Sequence, residues 1–217
     1  MKLRTVIGVV ALGVALGVMA SQVTSQEAAK KEEPKAEPKV PDQFGPEAFQ
    51  AAMAEYAKWA APGEPHKQMA KFVGTWDVVC RLCMDPTAPP TESKATATFK
   101  TILDGRFLVQ EHKGELMGRP FEGMSIEGYD NFKKKYVSVW VDNMSSGIMT
   151  ATGDCDPTGE VCTYYGVSDD PVTGEQDTMS KSVMRRINDD KFTFEMYQLM
   201  PNATEFSLFQ MEYTRRK

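Results

Sequence analysis

From Gly74 onward, apolar and polar residues alternate in short runs separated by turn signals, the period-2 pattern of half-buried strands. Ten such runs can be counted, at 74–83, 93–101, 105–113, 120–129, 134–142, 146–154, 160–168, 176–187, 191–199 and 205–214. Turns such as "LDGR", "MGRP", "CDPTGE" and "INDDKF" join them. Strands linked by short turns must run antiparallel. A twisted sheet of ten strands left open would expose two edges, which closure removes. The pattern predicts an all-β fold, an antiparallel up-and-down β-barrel of about ten strands.

The alternation also predicts what the barrel encloses. In "KYVSVWVDN" one face carries Tyr136, Ser138, Trp140 and Asp142, and the other Val137, Val139 and Val141. In "KFTFEMYQL" Phe192, Phe194 and Met196 oppose Thr193, Glu195 and Tyr197. A face that mixes aromatic with polar side chains suits a barrel holding water or a ligand. Parity alone leaves open which face points inward.

Ahead of the strands the period changes to that of a helix. Pro46 stands at a helix-opening position, and Phe49, Met53, Tyr56 and Ala60 follow at 4-3-4 spacing. "PGEPHKQMAKF" breaks this helix and allows one short turn more. Residues 44–73 are thus an N-terminal helical segment against one end of a barrel spanning 74–217. Residues 26–43, rich in Lys, Glu and Pro, bury too little apolar surface to order and are expected to be a disordered tether. Residues 1–25 begin with a basic "MKLR", continue as an apolar run, and reach small residues with Ala20 or Ser25 as alternative ends. That is the layout of a secretory signal peptide, with an uncleaved anchor as the alternative. The expected location is periplasmic or extracellular, with no membrane insertion of the mature domain.

Charge narrows the partners. The whole chain has 25 basic and 30 acidic residues. Losing Lys2 and Arg4 with the signal takes the net charge from −5 to −7. Such a surface repels phosphate backbones, so nucleic acid is not an expected partner. Export makes the four cysteines more suited to disulfides than to a metal. Cys155 and Cys162 flank a turn and face each other if it centres on Thr158 and Gly159. Cys80 and Cys83 have opposite parity, so joining them needs a bulge or a strand end. A thioredoxin-type role expects such a pair at a helix start, a context missing here. Across a meander the first pair lies at the opposite mouth from the second, which argues against one four-cysteine zinc site.

The remaining candidates are few. Of two histidines, His66 stands just before the first strand, suited either to a special role or to closing a helix or barrel end. His112 reads as a rim residue of the third strand. "GMSIEG" is one residue too long for a nucleophile elbow, and Ser125 lies mid-strand. "DCDPTGE" and "DDPVTGE" lack the twelfth-position glutamate of a calcium loop and read as hairpin turns. No residue is assigned as catalytic or as a metal ligand, and no cofactor is expected. A lumen site would draw on Trp76, Arg106, Tyr129, Trp140, Asp142 and His66: aromatic walls for affinity, one charge for orientation. Each also has a structural alternative. Trp76 could plug the closed end, Arg106 cover it or cap a turn, and Asp142 fix the "DNMSS" loop.

The ordered stretches "HKQMAKFVGTWD", "LDGRFLVQE", "GRPFEGMSIEGYDNFKKKYVSVWVDNMSS", "TGDCD" and "MEYTRRK" resemble an exported bacterial family catalogued as domain of unknown function fifteen seventy-nine. The resemblance runs over about residues 64–217. It implies a calycin-like barrel, similar in architecture to lipocalins and fatty-acid-binding proteins, with "GTW" like the Gly-x-Trp that opens the first lipocalin strand. It implies no activity or catalytic residue, and the four cysteines are not part of its pattern. Haem-binding barrels of this kind use a late-strand histidine, and no histidine follows residue 112 here. The expected function is capture of a small apolar or amphipathic molecule in the lumen. The alternative is an envelope interaction or structural protein with a filled barrel. Oligomeric state has no sequence signal.

Overall fold

Each turn signal in the sequence falls between two hydrogen-bonded neighbours, so the sheet is built in chain order. A computed structural model describes residues 45–85, 87–170, 174–199 and 204–217. The signal and tether segments lie outside the described residues. Two helices, α1 (Pro46–Ala60) and α2 (Glu64–Ala70), precede ten strands. The strands are β1 (Gly74–Leu82), β2 (Thr91–Ile102), β3 (Phe107–Leu116), β4 (Arg119–Asp130) and β5 (Lys135–Asp142), then β6 (Met149–Cys155), β7 (Val161–Asp170), β8 (Glu175–Asn188), β9 (Lys191–Leu199) and β10 (Glu205–Arg215). Every strand pairs antiparallel with its sequence neighbours, and β1 pairs with β10 to close the barrel. The closing ladder runs from Trp76↔Arg215 to Leu82↔Phe209. A bulge between Ser207 and Phe209 breaks the register of β10 against β9, the usual device for bending a strand round a barrel.

Burial decides the parity that sequence left open. On β1 the buried positions are Trp76, Val78, Cys80 and Leu82. Carried round by register, the inward set includes Ala97 and Phe99, then Leu108, Gln110 and His112, then Ser125, Glu127 and Tyr129. It continues through Tyr136, Ser138, Trp140 and Asp142 to Phe192, Phe194 and Met196. On β5 the mixed aromatic and polar face is the lumen face, whereas on β9 the apolar Phe192, Phe194 and Met196 face in and Thr193, Glu195 and Tyr197 face out.

The helix-side half of the lumen is packed solid. Phe192 stacks on Tyr213 at 4.1 Å, and Trp76 and Phe72 meet the Phe192 ring edge-on. Short α2 closes this end by burying Met69 and His66. Trp76 donates its Nε1–H to Phe72 O at 2.8 Å, and the Arg215 guanidinium lies 4.1 Å above the indole. That guanidinium also donates to the Val73 and Lys71 carbonyls, each at 2.7 Å. This crowding explains Gly74: its φ is +133°, and an added Cβ would lie 2.7 Å from Arg215 Nη1. The Gly of the Gly-x-Trp leaves room for the arginine that covers the Trp.

Two expectations change in detail. The apolar face of α1 was expected to pack, yet the helix buries no residue, and Phe49, Met53 and Tyr56 are exposed. It is held at its C-terminal end, where Arg106 Nε donates to Ala60 O and Asn131 Nδ2 to Trp59 O and Ala61 O. Of the cysteines, Cys155 and Cys162 are directly opposed and disulfide-bonded. Cys80 and Cys83 are free thiols, a correction to pairing them. Cys80 points into the lumen beside Ser93, whereas Cys83 lies past the strand end, its Sγ 3.6 Å from Asp85 O.

Candidate functional site

Beyond the packed plug, the inward face carries polar side chains among rings. A belt crosses the lumen at the inner edge of the plug, where Tyr213 stacks on Phe192: Gln110 on β3, Ser125 and Glu127 on β4, Ser138 on β5, Tyr164 on β7 and Tyr213 on β10. Glu127 is its centre. Its carboxyl has one weak partner, Ser125 Oγ at 3.5 Å. Burial raises its pKa to about 7, the serine acting in the opposite direction. Rings face it from other strands: Tyr164, raised well above the ordinary phenol by burial and then by the Glu127 charge, and Tyr213, raised mainly by burial and helped down by Gln110. Tyr136 from β5 is also raised, by burial first.

Above the belt stands an aromatic group. Trp140 and Phe121 are stacked at 6.3 Å, and the His112 ring meets both edge-on. An added Cβ at Gly123 would lie 2.3 Å from the Trp140 ring, so glycine lets the indole lie flat against β4. Trp140 donates its Nε1–H to Asp142 Oδ2 at 2.8 Å, and Asp142 Oδ1 accepts from Met144 N–H, anchoring the following loop. His112 is 4% exposed, and burial lowers its pKa to about 4, so it is neutral at physiological pH. Its Nδ1 has no partner within the protein. A buried nitrogen without a partner costs about 1–3 kcal/mol.

These lumen side chains are not closed over by apolar packing. Glu127, Ser138, Trp140, Asp142, Phe194 and Met196 all retain accessible surface, although Glu127 lies deep among the strands. Surface that is both deep and accessible faces an interior space.

The six candidate residues fall in three places. Trp140 and Asp142 share the upper lumen. Trp76 is 1% exposed in the plug. His66, Tyr129 and Arg106 gather at the helix-side end. There His66 Nδ1 accepts Gly63 N–H at 2.9 Å, which caps α2 and puts the proton of the neutral ring on Nε2. Its pKa is lowered by burial and by the Arg106 charge, with a backbone hydrogen bond to Tyr129 acting the other way. The Tyr129 ring meets His66 edge-on at 6.1 Å, and Arg106 Nη1 donates to Leu103 O. These three border a separate groove of about 520 Å³ between α1 and the outer face of β3–β5.

Sequence reasoning missed Glu127, Gln110 and Ser125 as lumen groups and placed His112 on the rim. The available signal was parity: Glu127 shares a face with Ser125 and Tyr129, and His112 with Leu108. It could be used only once the inward face was known. Among the described residues, no group of three His, Cys, Asp or Glu side chains could hold a metal, and no helix is long and apolar enough to cross a membrane.

A family model described as protein of unknown function (DUF1579) matches residues 61–215. The crystal structure of Rv2717c from M. tuberculosis is similar at 15% identity and a TM-score of 0.54, over 72% of this chain and all of that one, a likeness of fold alone. A redesigned β-barrel aligns at 13% identity and a TM-score of 0.37, over 69% and 96% of the two chains, too distant to carry an argument. A search of curated proteins finds no match.

Proposed function

The chain belongs to the DUF1579 family, and on that premise we propose that its barrel captures a small amphipathic molecule in the lumen half away from the helices. One observation carries the reading. The helix-side half is filled with interlocked rings, while in the other half the inward-facing Ser138, Trp140 and Asp142 keep accessible surface and the buried His112 Nδ1 has no partner. A barrel serving only as a scaffold gains by filling its lumen with aliphatics and gains nothing from buried polar atoms without partners. Rings offer apolar contact, and the belt offers orientation. The site of action is outside the cytoplasm, a placement supported by the signal-like N-terminus and by the Cys155–Cys162 disulfide, which suits an oxidising compartment.

The test is saturable binding of the uncharged fluorophore N-phenyl-1-naphthylamine, read from its emission and from quenching of Trp140. Ala151 faces inward opposite Ser138 and Gly166. Ala151→Phe is expected to lower affinity at least about tenfold, the loss of roughly 1.4 kcal/mol of contact, with the circular dichroism spectrum kept. Unchanged affinity would place the fluorophore elsewhere and defeat the lumen reading. A second reading, docking to an envelope partner, is favoured by the exposed Phe49, Met53 and Tyr56 on α1. It gains if the folded protein binds no fluorophore.

A further inference from the structure

Resting on the lumen reading, we infer that the ligand is a cationic amphiphile, an alkyl amine or ammonium whose head lies among Glu127, Tyr164 and Trp140 and whose tail points to the open mouth. The argument is one of charge placement. Of the described inward positions, cations stand only at the rims. Arg119 is exposed at the first residue of β4. Arg186 and Arg215 are at the helix-side end, where Arg186 pairs with Glu160 and Asp189, and Arg215 with backbone carbonyls. Pro86, residues 171–173 and residues 200–203 contain no Lys or Arg. Eight positions separate Arg119 from Glu127, about 26 Å along a strand, too far to serve a head group at the belt. Between the rims the charged inward side chains are Glu127 and Asp142, and Asp142 is already held by Trp140 and the Met144 amide.

A carboxylate ligand, as in a fatty acid, would bring a second negative charge to a lumen with no cation to receive it. Like charges out of water are costly, and this selects against such ligands. A neutral alcohol would bind by tail contact and hydrogen bonding. An ammonium gains more. It converts Glu127 into an ion pair, and Tyr164, near enough to feel the Glu127 charge, supplies a ring and an oxygen that favour a cation. His112 is neutral and does not compete for the same carboxylate. Around the apolar tail, Leu82, Phe121, Met149 and Met196 line the way to the mouth.

Binding a cation beside Glu127 favours its ionised form, so the reaction releases a proton wherever the free carboxyl holds one. Affinity should therefore rise with pH until Glu127 is ionised without ligand. The groups facing it are Ser125 on its own strand, Gln110 and His112 on β3, Tyr136 and Ser138 on β5, Tyr164 on β7 and Tyr213 on β10. None carries a charge near neutral pH.

The experiment displaces N-phenyl-1-naphthylamine from the full chain with decyltrimethylammonium, decanol and decanoate, each below its micelle concentration. The ammonium is expected to bind about tenfold or more tighter than decanoate. Its affinity should rise at least about tenfold between about pH 5.5 and about pH 8.5, with decanol flat. Glu127→Gln should abolish that rise and remove the ammonium's advantage over decanol in the same variant. Decanoate binding as tightly as the ammonium would overturn the ligand class and leave lumen binding intact. An ammonium preference that survives in Glu127→Gln, or that ignores pH in the wild type, would overturn the assignment to Glu127. Displacement by none of the three, with the fluorophore itself unbound, would overturn both readings.

Discussion

Glu127 and His112 share one lumen, and burial drives both toward their neutral forms, with opposite consequences for stability. The Glu127 carboxyl titrates at about 7 in the fold against an ordinary 4.5. The fold prefers it protonated, so its contribution is complete below about 4.5 and is lost as pH rises through about 7, a change of up to about 3 kcal/mol before lumen water is allowed for. His112 titrates at about 4 against 6.5. The fold prefers it neutral, so its contribution is complete above about 6.5 and is lost as pH falls through about 4. In the wild type the two trends oppose between those limits, and stability should be nearly level there. Glu127→Gln removes one of them. Its unfolding free energy relative to wild type is expected to climb by about 2–3 kcal/mol from about pH 4.5 to about pH 8, measured by denaturant titration. A constant difference across that range would mean that Glu127 is solvated as on a surface.

The two helices show how burial, not length, sets what an element contributes. Fifteen-residue α1 has an apolar stripe but no buried residue, whereas seven-residue α2 buries Met69 and His66 and closes the barrel. Helix stability in proteins comes mainly from packing of the apolar face. Met53→Pro, which breaks α1, should therefore change global stability by less than about 1 kcal/mol, although an interior proline costs a packed helix about 3 kcal/mol. Met69→Ala in α2 should cost about 2–5 kcal/mol by opening a cavity in the core cluster it shares with Trp76 and Phe99. Thermal or denaturant unfolding of the two variants checks the contrast, and a larger effect from α1 would show that its stripe has a partner.

At the scale of the whole molecule, closure depends on one ladder between residues far apart in the chain. Trp76 pairs with Arg215, and Leu82 with Phe209. Such long-range pairing carries a high loop-closure cost and tends to slow folding. Gln210 sits inside this ladder, paired with Arg81 on one side and Glu195 on the other. Gln210→Pro removes a backbone donor and frees two edges at once. Light scattering after size exclusion is expected to show association of this variant at concentrations where the wild type is monodisperse. A monodisperse, folded Gln210→Pro would mean that the barrel is held shut by its lumen packing instead of by the closing pair.

The local pattern carried the ten strands with ends up to three residues off, the meander, the closure and the Cys155–Cys162 pair, because a period of two, a turn residue and a short hairpin are written within a few positions of one another. Trp76 as a plug was also legible, through Gly-x-Trp. The working half of the lumen was not. Alternation states that Ser125, Glu127 and Tyr129 share a face but not which side of the wall that face is on, and inversion of parity would put Glu127 in water as an ordinary carboxylate. Arg106 and His66 were drawn into the candidate site by chemistry that suits a ligand, yet they hold helix ends: His66 accepts the Gly63 amide at the start of α2, and Arg106 donates to Ala60 O at the end of α1. Burial, and with it the ionisation of Glu127 and the isolation of His112, is a property of ten strands closed on one another, so it was decided only when the barrel shut.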